Sequence, residues 1–324
     1  MCTAISFKTN EHYFGRSLDL FYTLNERVTI VPRNFIFKMR FLNDIKNHYA
    51  FIGMASEKSG YPLMYEATNE MGLSIAGLNF PHNAVYLTPT HGKTNLAPFE
   101  LIPYLLCLSN SVSEVKNLVK NINLVDTSFA PDMPNTPLHF MVSDKKESIV
   151  LEPTKNGLLL YDNPVGVLTN NPPFKTQMLL LSNYMHLSNK QPNPCTVFGA
   201  DLAPYSLGMG AIGLPGDLSS GARFARAAFT KTYSDCSGDE ASSVEQFFHI
   251  LKAVSVVRGT VLTDQNKPQF TRYLSCVNTK RGIYYYTTYQ NSRINAVNMF
   301  NEDLNGDKLI SYPINKEFDI KLQN

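Results

Sequence analysis

The chain opens with MCTAISF, residues 1–7, which puts a cysteine directly behind the initiator methionine. The apolar run AISF predicts a first β-strand. Methionine aminopeptidase tolerates small second residues, so we expect Met1 to be removed and Cys2 to carry both a thiol and a free α-amine. An α-amine has a reference pKa of about 7.7 to 8.0 and a thiol about 8.5, so near neutral pH the amine can take the thiol proton. One residue would then supply both a nucleophile and a base.

Position alone does not establish that chemistry, because a free cysteine is often packed as a small apolar residue. Catalysis also needs a cation near the thiol, an acid to orient the ammonium, and amide donors for an oxyanion. The segment YFGRSLDL supplies Arg16 and Asp19, whose burial without partners would be costly. A regular strand sends them to opposite faces, so a joint role predicts a turn or bulge near Ser17 and Leu18. A structural ion pair is the alternative.

The composition favours a globular protein that acts on small molecules. Its 324 residues are 44% hydrophobic, which is enough for an ordinary buried core. The 29 basic and 27 acidic side chains give a net charge of +2 at pH 7, without long runs of one sign. A nucleic-acid partner or a polybasic membrane contact therefore has no electrostatic basis. Small molecules and further copies of the chain are the expected partners.

The sequence also argues against export and against disulfides. The N-terminus turns polar by Lys8, too early for the apolar segment of a signal peptide, and no apolar run reaches membrane-spanning length. Five cysteines are an odd number, and they lie far apart without a C-x-x-C pair. We expect a cytoplasmic protein with reduced thiols.

Strand and helix signals follow one another in blocks. Strands are predicted in AISF, YFGRSLDL and RVTIVPR, and again over 148–170. Residues 98–122 carry two helix signals, the second with Ser113 as its N-cap. Residues 241–257 predict an amphipathic helix, and the strands that follow contain a hairpin turn at Lys280–Gly282. The order predicts an α+β fold with largely antiparallel sheets, and no linker divides the chain into more than one domain, 1–324.

A glycine-rich segment imitates a dinucleotide-binding loop. Gly208, Gly210 and Gly213 have the G-x-G-x-x-G spacing. No clean strand precedes them, however, and Pro215 stands where a phosphate-binding helix should begin. The segment therefore predicts a structural glycine loop.

Two further features are better explained as structure than as metal sites. Asp303, Asn305 and Asp307 begin like a calcium loop, but its glycine and closing glutamate are missing, so a hairpin turn is predicted. The histidines show no H-E-x-x-H pair, and His249, on an otherwise apolar helix, is interpreted as a core residue. We expect no metal and no cofactor.

Six segments occur in one order along the chain: MCTAISF, FGRSLDL, NEMGLSIAGLNFP, YDNPVGVLTNNPPF, GLPGDLSSGARFARAAF and GIYYYTTYQN. In order and approximate spacing they resemble the choloylglycine hydrolase family over nearly the whole chain, and within it the bile salt hydrolases most closely. Chance agreement of the whole series is negligible.

The resemblance implies a fold and a set of site residues. The implied fold is of the N-terminal nucleophile hydrolase type, a four-layer αββα sandwich of two antiparallel sheets between helical layers. The implied reaction is cleavage of a linear amide bond without a cofactor, with Cys2 as nucleophile. The residues that match the family's other catalytic positions are Arg16, Asp19, Asn79, Asn170 and Arg223. Among them, the two asparagines match the oxyanion and amine-orienting positions.

The implied substrates are bile salts conjugated to glycine or taurine. A steroid requires an apolar pocket, and the residues that resemble the family's substrate-facing positions are Leu18, Leu20, Tyr65, Phe129, Met133 and Leu138. Each of these can equally be a core residue. The resemblance further implies a homotetramer.

Two alternatives stay open. A penicillin V acylase, or another N-acyl amide hydrolase of the family, would use the same nucleophile with a different pocket. The penicillin acylase branch typically has tyrosine where this chain has Asn79, which favours bile salts. A lipid-binding relative without catalysis is the third reading, and the intact set of charged and amide residues argues against it.

Overall fold

The structure is a computed structural model and describes residues 1–324. Its strands are β1 Cys2–Lys8, β2 His12–Leu20, β3 Arg27–Val31, β4 Phe51–Lys58, β5 Tyr61–Asn69, β6 Ser74–Asn79, β7 Thr94–Leu96, β8 Ile122–Leu124, β9 Leu138–Ser143, β10 Ser148–Thr154, β11 Gly157–Asp162, β12 Val167–Leu168, β13 Cys195–Val197, β14 Ala200–Leu202, β15 Val261–Leu262, β16 Pro268–Asn278, β17 Ile283–Thr288, β18 Asn295–Asn298 and β19 Ile310–Pro313. Its α-helices are α1 Leu101–Leu108, α2 Val112–Leu118, α3 Phe174–Leu181, α4 Ser220–Thr232 and α5 Glu240–Lys252.

Most strands form two antiparallel sheets. The first sheet has the order β12-β1-β2-β16-β17-β18, with β15 added beside β16. The second has the order β11-β10-β9-β6-β5-β4-β3-β19. Outside them, β13 and β14 form a small hairpin, and β7 pairs in parallel with β8.

Alternation along the strands builds two apolar clusters. On β4, Ile52 joins a cluster that also contains residues of the first sheet and of α4 and α5, whereas its neighbour Phe51 joins a second cluster with α1 and α2. Successive side chains of a strand point to opposite faces, so the second sheet is apolar on both sides. The predicted α+β fold with two antiparallel sheets between helical layers is confirmed, with α1 against β5 and β6 and α5 against β16 and β2. None of the helices combines the length and apolar character needed to cross a bilayer.

Most of the local predictions are confirmed. The three opening strands form as β1, β2 and β3, and the turn at Lys280–Gly282 joins β16 to β17. The second helix is different, because its N-cap is Ser111 and not Ser113. Ser111 Oγ accepts from the backbone NH of Glu114, whose carboxylate in turn accepts from the NH of Asn110. This pairing satisfies free backbone donors two residues earlier than predicted.

The glycine-rich segment is a loop, as predicted. Gly208 and Gly213 have φ values of 85° and 96°, a region that favours glycine. A Cβ on Gly210 would lie 1.9 Å from the carbonyl oxygen of Lys190. These glycines are required by backbone geometry, and the next helix begins only at Ser220.

Two predictions are wrong in detail. Asp303 and Asn305 lie in a turn, but it is not a hairpin, because β18 before it pairs with β17 and β19 after it pairs with β3, in the other sheet. His249 is exposed on α5 and is not a core residue. The buried histidines are His12 on β2, His139 on β9 and His48 in the loop between β3 and β4.

Candidate active site

The pairing of β1 with β2 fixes the surroundings of Cys2. Cys2 lies opposite Leu18, and Ala4 lies opposite Arg16. Side chains of paired residues share one face of a sheet, so the thiol and the guanidinium are diagonal neighbours. Cys2 is only 3% exposed.

Backbone carbonyls hold the guanidinium of Arg16 in place. Its Nη1 donates to Gly77 O at 2.5 Å and to Tyr65 O at 3.3 Å, and its Nε donates to Ser17 O at 3.1 Å. The Glu66 carboxylate lies 3.9 Å from Nε, whereas Nη2 is buried without a partner. Burial disfavours the charge, but the surrounding anionic groups outweigh it and raise the pKa of Arg16.

Asp19 lies on the other face of β2. Its Oδ1 accepts from Thr271 Oγ1 at 2.7 Å and its Oδ2 accepts from Ser17 Oγ at 3.4 Å. Ser17 Oγ accepts in turn from the backbone NH of Thr3. The Asp19 backbone also pairs with Met1, whose carbonyl accepts from the Asp19 NH at 3.0 Å. Asp19 is therefore linked to the beginning of β1 through both its side chain and its backbone.

The bulge predicted near Ser17 and Leu18 is not in that strand. Pairing of β2 with β1 is regular, and the shift of register lies in β16 between Thr271 and Tyr273, where Arg272 is the extra residue. Both charged side chains still flank the first residues of the chain, because β1 lies beside β2 in the sheet plane and can be approached from either face. The premise that a joint role needs an irregular β2 was wrong.

Asn170 links three parts of the site. Its Oδ1 accepts from the Cys2 backbone nitrogen at 2.9 Å and from Arg223 Nη2 at 2.8 Å, and its Nδ2 donates to Asn79 O at 2.7 Å. Ser220 Oγ accepts from its backbone NH at 2.8 Å. Because its oxygen accepts and its nitrogen donates, the amide side chain has one defined orientation.

Arg223 reaches the site from the first turns of α4. Ser219 caps this helix, accepting from its backbone with its side chain. Arg223 Nη1 donates to Cys2 O at 2.5 Å and to Thr3 Oγ1 at 2.7 Å, and Nε donates to Leu218 O at 3.2 Å. Burial lowers the pKa of Arg223, and these acceptors compensate the buried donors.

A buried histidine supports the loop that carries Asn170. His139 Nε2 donates to Thr169 O at 2.9 Å, and its Nδ1 lies 3.3 Å from Glu152 Oε1. The same carboxylate oxygen accepts from the backbone NH of Phe174 at 2.8 Å. The His139 ring stacks on Phe80, with centroids 4.3 Å apart. One imidazole thus contacts the segments that follow Asn79 and precede Asn170.

Glu66 is a buried carboxylate beside Arg16. It accepts from Tyr273 OH at 2.8 Å, from Tyr284 OH at 2.6 Å and from Ser275 Oγ at 3.0 Å. Burial raises the pKa of Glu66, and the charge of Arg16 and the three hydroxyl donors oppose that shift.

Glu66, Glu152 and His139 were not predicted as site residues from the sequence. The signal was available, because each is a polar or charged residue inside an apolar strand, the same pattern that singled out Arg16 and Asp19. No sequence pattern could reveal which partners they meet across the fold.

An apolar cavity of about 290 Å³ leads to the thiol. Cys2, Arg16 and Asn79 line its floor, and Asp19, Asn170 and Arg223 lie behind them. All of the predicted substrate-facing residues line it, namely Leu18, Leu20, Tyr65, Phe129, Met133 and Leu138. Further wall residues that were not predicted include Tyr22, Leu24, Leu63, Phe99, Ile102 and Phe140.

The arrangement is suited to nucleophilic attack on a carbonyl group. It presents a thiol beside a guanidinium and amide groups, at the end of a cavity that excludes much of the solvent. No group of three or more histidine, cysteine or acidic side chains is arranged to hold a metal ion.

Comparisons with known proteins agree with this architecture. Residues 2–312 match the model of the family described as linear amide C–N hydrolases, choloylglycine hydrolase family. The bile salt hydrolase/transferase of Lactiplantibacillus plantarum is 49% identical over 317 residues, covering 98% of both chains. The bile salt hydrolase/transferase of Clostridium perfringens is 37% identical over 329 residues and covers 100% of both chains.

Solved structures give the same result for the fold. A mutant of the conjugated bile acid hydrolase from Clostridium perfringens superimposes with a TM-score of 0.94 at 37% identity over 100% of both chains. The penicillin V acylase from Agrobacterium tumefaciens has a TM-score of 0.77 at 19% identity, covering 96% of this chain and 90% of its own, and so shares the fold. With the family model matched over almost all of its length and relatives this similar, the chain belongs to the choloylglycine hydrolase family of linear amide C–N hydrolases.

Proposed function

We propose that the protein hydrolyses the amide bond that joins the cholane carboxyl group of a bile salt to glycine or taurine. The observation that carries the proposal is the thiol of Cys2 at the end of a largely apolar cavity, beside Arg16 and Asn79. A steroid is apolar and rigid, which suits such a cavity. The names of the full-length relatives, bile salt hydrolase/transferase and conjugated bile acid hydrolase, support the same substrate class.

In the first step, Cys2 is the N-terminal residue after loss of Met1, and its α-amine takes the thiol proton. The sulfur attacks the amide carbonyl carbon, and the oxyanion is stabilised by amide donors at Asn79. The nitrogen of Cys2 donates to Asn170 Oδ1, which supports an orienting role for that side chain. The ammonium then gives its proton to the leaving nitrogen, the C–N bond breaks, and glycine or taurine departs.

In the second step, water hydrolyses the thioester that joins Cys2 to the bile acid. The α-amine takes a proton from the water, hydroxide adds to the carbonyl carbon, and the C–S bond breaks. The ammonium returns its proton to the departing sulfur, so the products are free bile acid and the regenerated thiol. Arg16, Asp19 and Arg223 hold the nucleophile and its amine in position from the two faces of the sheet.

The decisive experiment combines the N-terminal mass with product release. Glycine and taurine release from glycocholate and taurocholate is measured for the native protein, for Cys2→Ser, and for a form with an uncleavable N-terminal extension. We expect a native mass without Met1 and activity in the native form alone. Full activity in the extended form would overturn the α-amine mechanism.

A parallel assay separates the substrate classes. We expect the native protein to cleave both bile salts faster than penicillin V. Faster cleavage of penicillin V would instead favour an acylase with the same nucleophile. Cleavage of neither class would overturn the proposed substrate while leaving family membership intact.

We further propose a homotetramer in the cytoplasm, built from one domain per chain. Strand β19, near the end of the chain, pairs with β3 near its start, which supports one domain. The hairpin β13–β14 and the loop after it leave Phe198 96%, Tyr205 85% and Leu207 90% exposed, apolar surface of the kind that another subunit covers. The five unpaired thiols support a reducing compartment. Light scattering tests the homotetramer, and cell fractionation tests the cytoplasmic location.

A further inference from the structure

The position of Arg16 does not depend on a carboxylate. Its Nε and Nη1 donate to the carbonyl oxygens of Ser17, Tyr65 and Gly77, which are neutral acceptors fixed by the strands. A guanidinium held in this way keeps its orientation when a nearby charge is removed. The net charge of Arg16 and its neighbours can therefore change without any movement of the Arg16 side chain.

Glu66 is the one carboxylate within ion-pair distance of Arg16, and it contributes charge without a hydrogen bond. Its Oε2 lies 3.9 Å from Arg16 Nε, while its two oxygens accept from the hydroxyls of Tyr273, Tyr284 and Ser275. Both Arg16 and Glu66 are 1% exposed, so solvent screens their interaction little.

We propose that Glu66 is a positioning residue that acts on the nucleophile through Arg16 and sets how strongly the site favours the Cys2 thiolate. The proposal rests on the proposed role of Cys2 as nucleophile. A guanidinium beside a thiol favours the thiolate. Ionised Glu66 offsets part of that charge, and protonated Glu66 leaves it unopposed.

The surroundings of Glu66 make its protonation responsive to pH. The groups that face it are Arg16, Tyr273, Tyr284 and Ser275, while Asp19 lies on the other face of β2. Burial raises the pKa of Glu66, and burial together with the charge of Glu66 raises the pKa values of Tyr273 and Tyr284, which stay protonated hydrogen-bond donors. As pH falls, Glu66 gains a proton and Arg16 acts on the thiol with its full charge. The site thereby loses less thiolate on acidification than a site whose carboxylate stays ionised.

The test is the pH dependence of Cys2 alkylation by iodoacetamide, read by mass spectrometry of the N-terminal peptide in native protein and in Glu66→Gln. Glutamine keeps the shape and can still accept from the hydroxyls, but it has no charge. We expect the alkylation midpoint of the variant to lie roughly half to one pH unit lower, less than the about 1 to 3 units of a direct charged neighbour. The two curves should converge at acidic pH. An unchanged or higher midpoint would overturn the proposal.

The matched control is Glu70→Gln, which removes a carboxylate that pairs with Arg33, away from the cavity. Its alkylation midpoint should equal that of the native protein. A midpoint that also falls in Glu70→Gln would show a general charge effect and would contradict a specific role of Glu66. Alkylation needs no bile salt, so the result is independent of whether the proposed substrate is correct.

A second variant, Tyr284→Phe, tests the proposal even if Glu66→Gln does not fold. Tyr284→Phe withdraws one hydroxyl donor from Glu66 Oε1, which favours the protonated carboxyl group. We expect the alkylation midpoint to move in the same direction as for Glu66→Gln, but by less. A midpoint that does not move, or moves upward, in folded Tyr284→Phe contradicts the proposal.

Discussion

At the scale of single residues, the site depends on buried charges whose partners are mostly backbone groups. Arg16 and Arg223 approach Cys2 from different elements, and both donate to carbonyl oxygens of the strands around it. Burying a guanidinium is costly unless its donors are satisfied. Because the carbonyls cannot titrate or swing away, they hold the two charges in fixed positions over a wide pH range.

Asn170 is the residue whose loss should affect catalysis most after Cys2. In Asn170→Ala, the Cys2 nitrogen and Arg223 lose a shared acceptor and Asn79 O loses a donor. We expect kcat for glycocholate to fall by about 10²- to 10³-fold, the usual effect of removing one group that orients or stabilises a reacting centre. KM should change much less, since Asn170 lies behind the cavity wall. Steady-state kinetics measure both constants.

The control for this prediction is Asn156→Ala, an exposed asparagine in the turn between β10 and β11. It should leave both constants unchanged. A rise in KM with unchanged kcat in Asn170→Ala would instead indicate a contribution to substrate binding alone.

At the scale of elements, two loops meet at the site and one strand couples them. Strand β9 pairs with β6 so that His139 lies opposite Leu78, next to Asn79. From there the imidazole reaches Thr169 O in the loop after β12. The site asparagines are thus oriented by a residue that does not touch the cavity.

Replacement of His139 tests this coupling. In His139→Leu, Thr169 O loses its donor and Glu152 loses a polar partner, while an apolar side chain of similar size still packs on Phe80. We expect kcat to fall about 10-fold, because the loop after β12 loses this support and Asn170 is no longer held in position. His139→Gln, which retains an NH donor, should recover part of the loss. Equal kcat in both variants and the native protein would contradict the coupling.

A glycine controls how closely two central strands approach. A Cβ on Gly15 of β2 would lie 2.0 Å from the carbonyl oxygen of Ser275 on β16, a distance that backbone atoms cannot relieve without separating the strands. We expect Gly15→Ala to lower the free energy of unfolding by at least about 3 kcal/mol, the upper range for overpacked sites. Gly221→Ala on α4 meets no atom within 4 Å and should be neutral or slightly stabilising. Urea unfolding compares the two.

Local patterns in the sequence predicted the strands and the turn at Lys280–Gly282 well, because alternation and turn residues report short-range geometry. They failed where long-range contacts determine the local structure. The N-cap moved from Ser113 to Ser111 because Glu114 could complete the pairing there, and the irregularity predicted in β2 lies in β16 instead. Arg16 was found as a charged residue inside an apolar strand, and Asn170 was found through the family resemblance. The partners that orient them come from strands far apart in the chain and have no common motif.

At the scale of the whole molecule, the two sheets are joined by polar as well as apolar contacts. His12 on β2 is buried, with Nε2 2.9 Å from Ser6 Oγ on β1 and 3.2 Å from Ser143 Oγ on β9 of the other sheet. Its Nδ1 lies 3.1 Å from Thr279 Oγ1. Hydroxyl groups can donate to or accept from a neutral ring, so this environment does not require a charged imidazole.

This histidine should make the fold sensitive to acid. Burial lowers the pKa of His12 from 6.5 to about 4. Above pH 6.5 the ring is neutral in both the folded and the unfolded chain, and the stability is fully present. As pH falls from 6.5 towards 4, only the unfolded chain gains the proton, so stability is lost progressively, by about 3 kcal/mol at pH 4.

In His12→Gln this loss is absent, so the difference in unfolding free energy between the native protein and the variant should narrow by that amount between pH 7 and pH 4. Urea unfolding at pH 7, 5.5 and 4 measures the gap, and Asn156→Ala, which removes no titratable group from an exposed turn, should show a difference that does not change with pH. A gap for His12→Gln that is equally large at all three values would show that His12 does not cause the acid sensitivity.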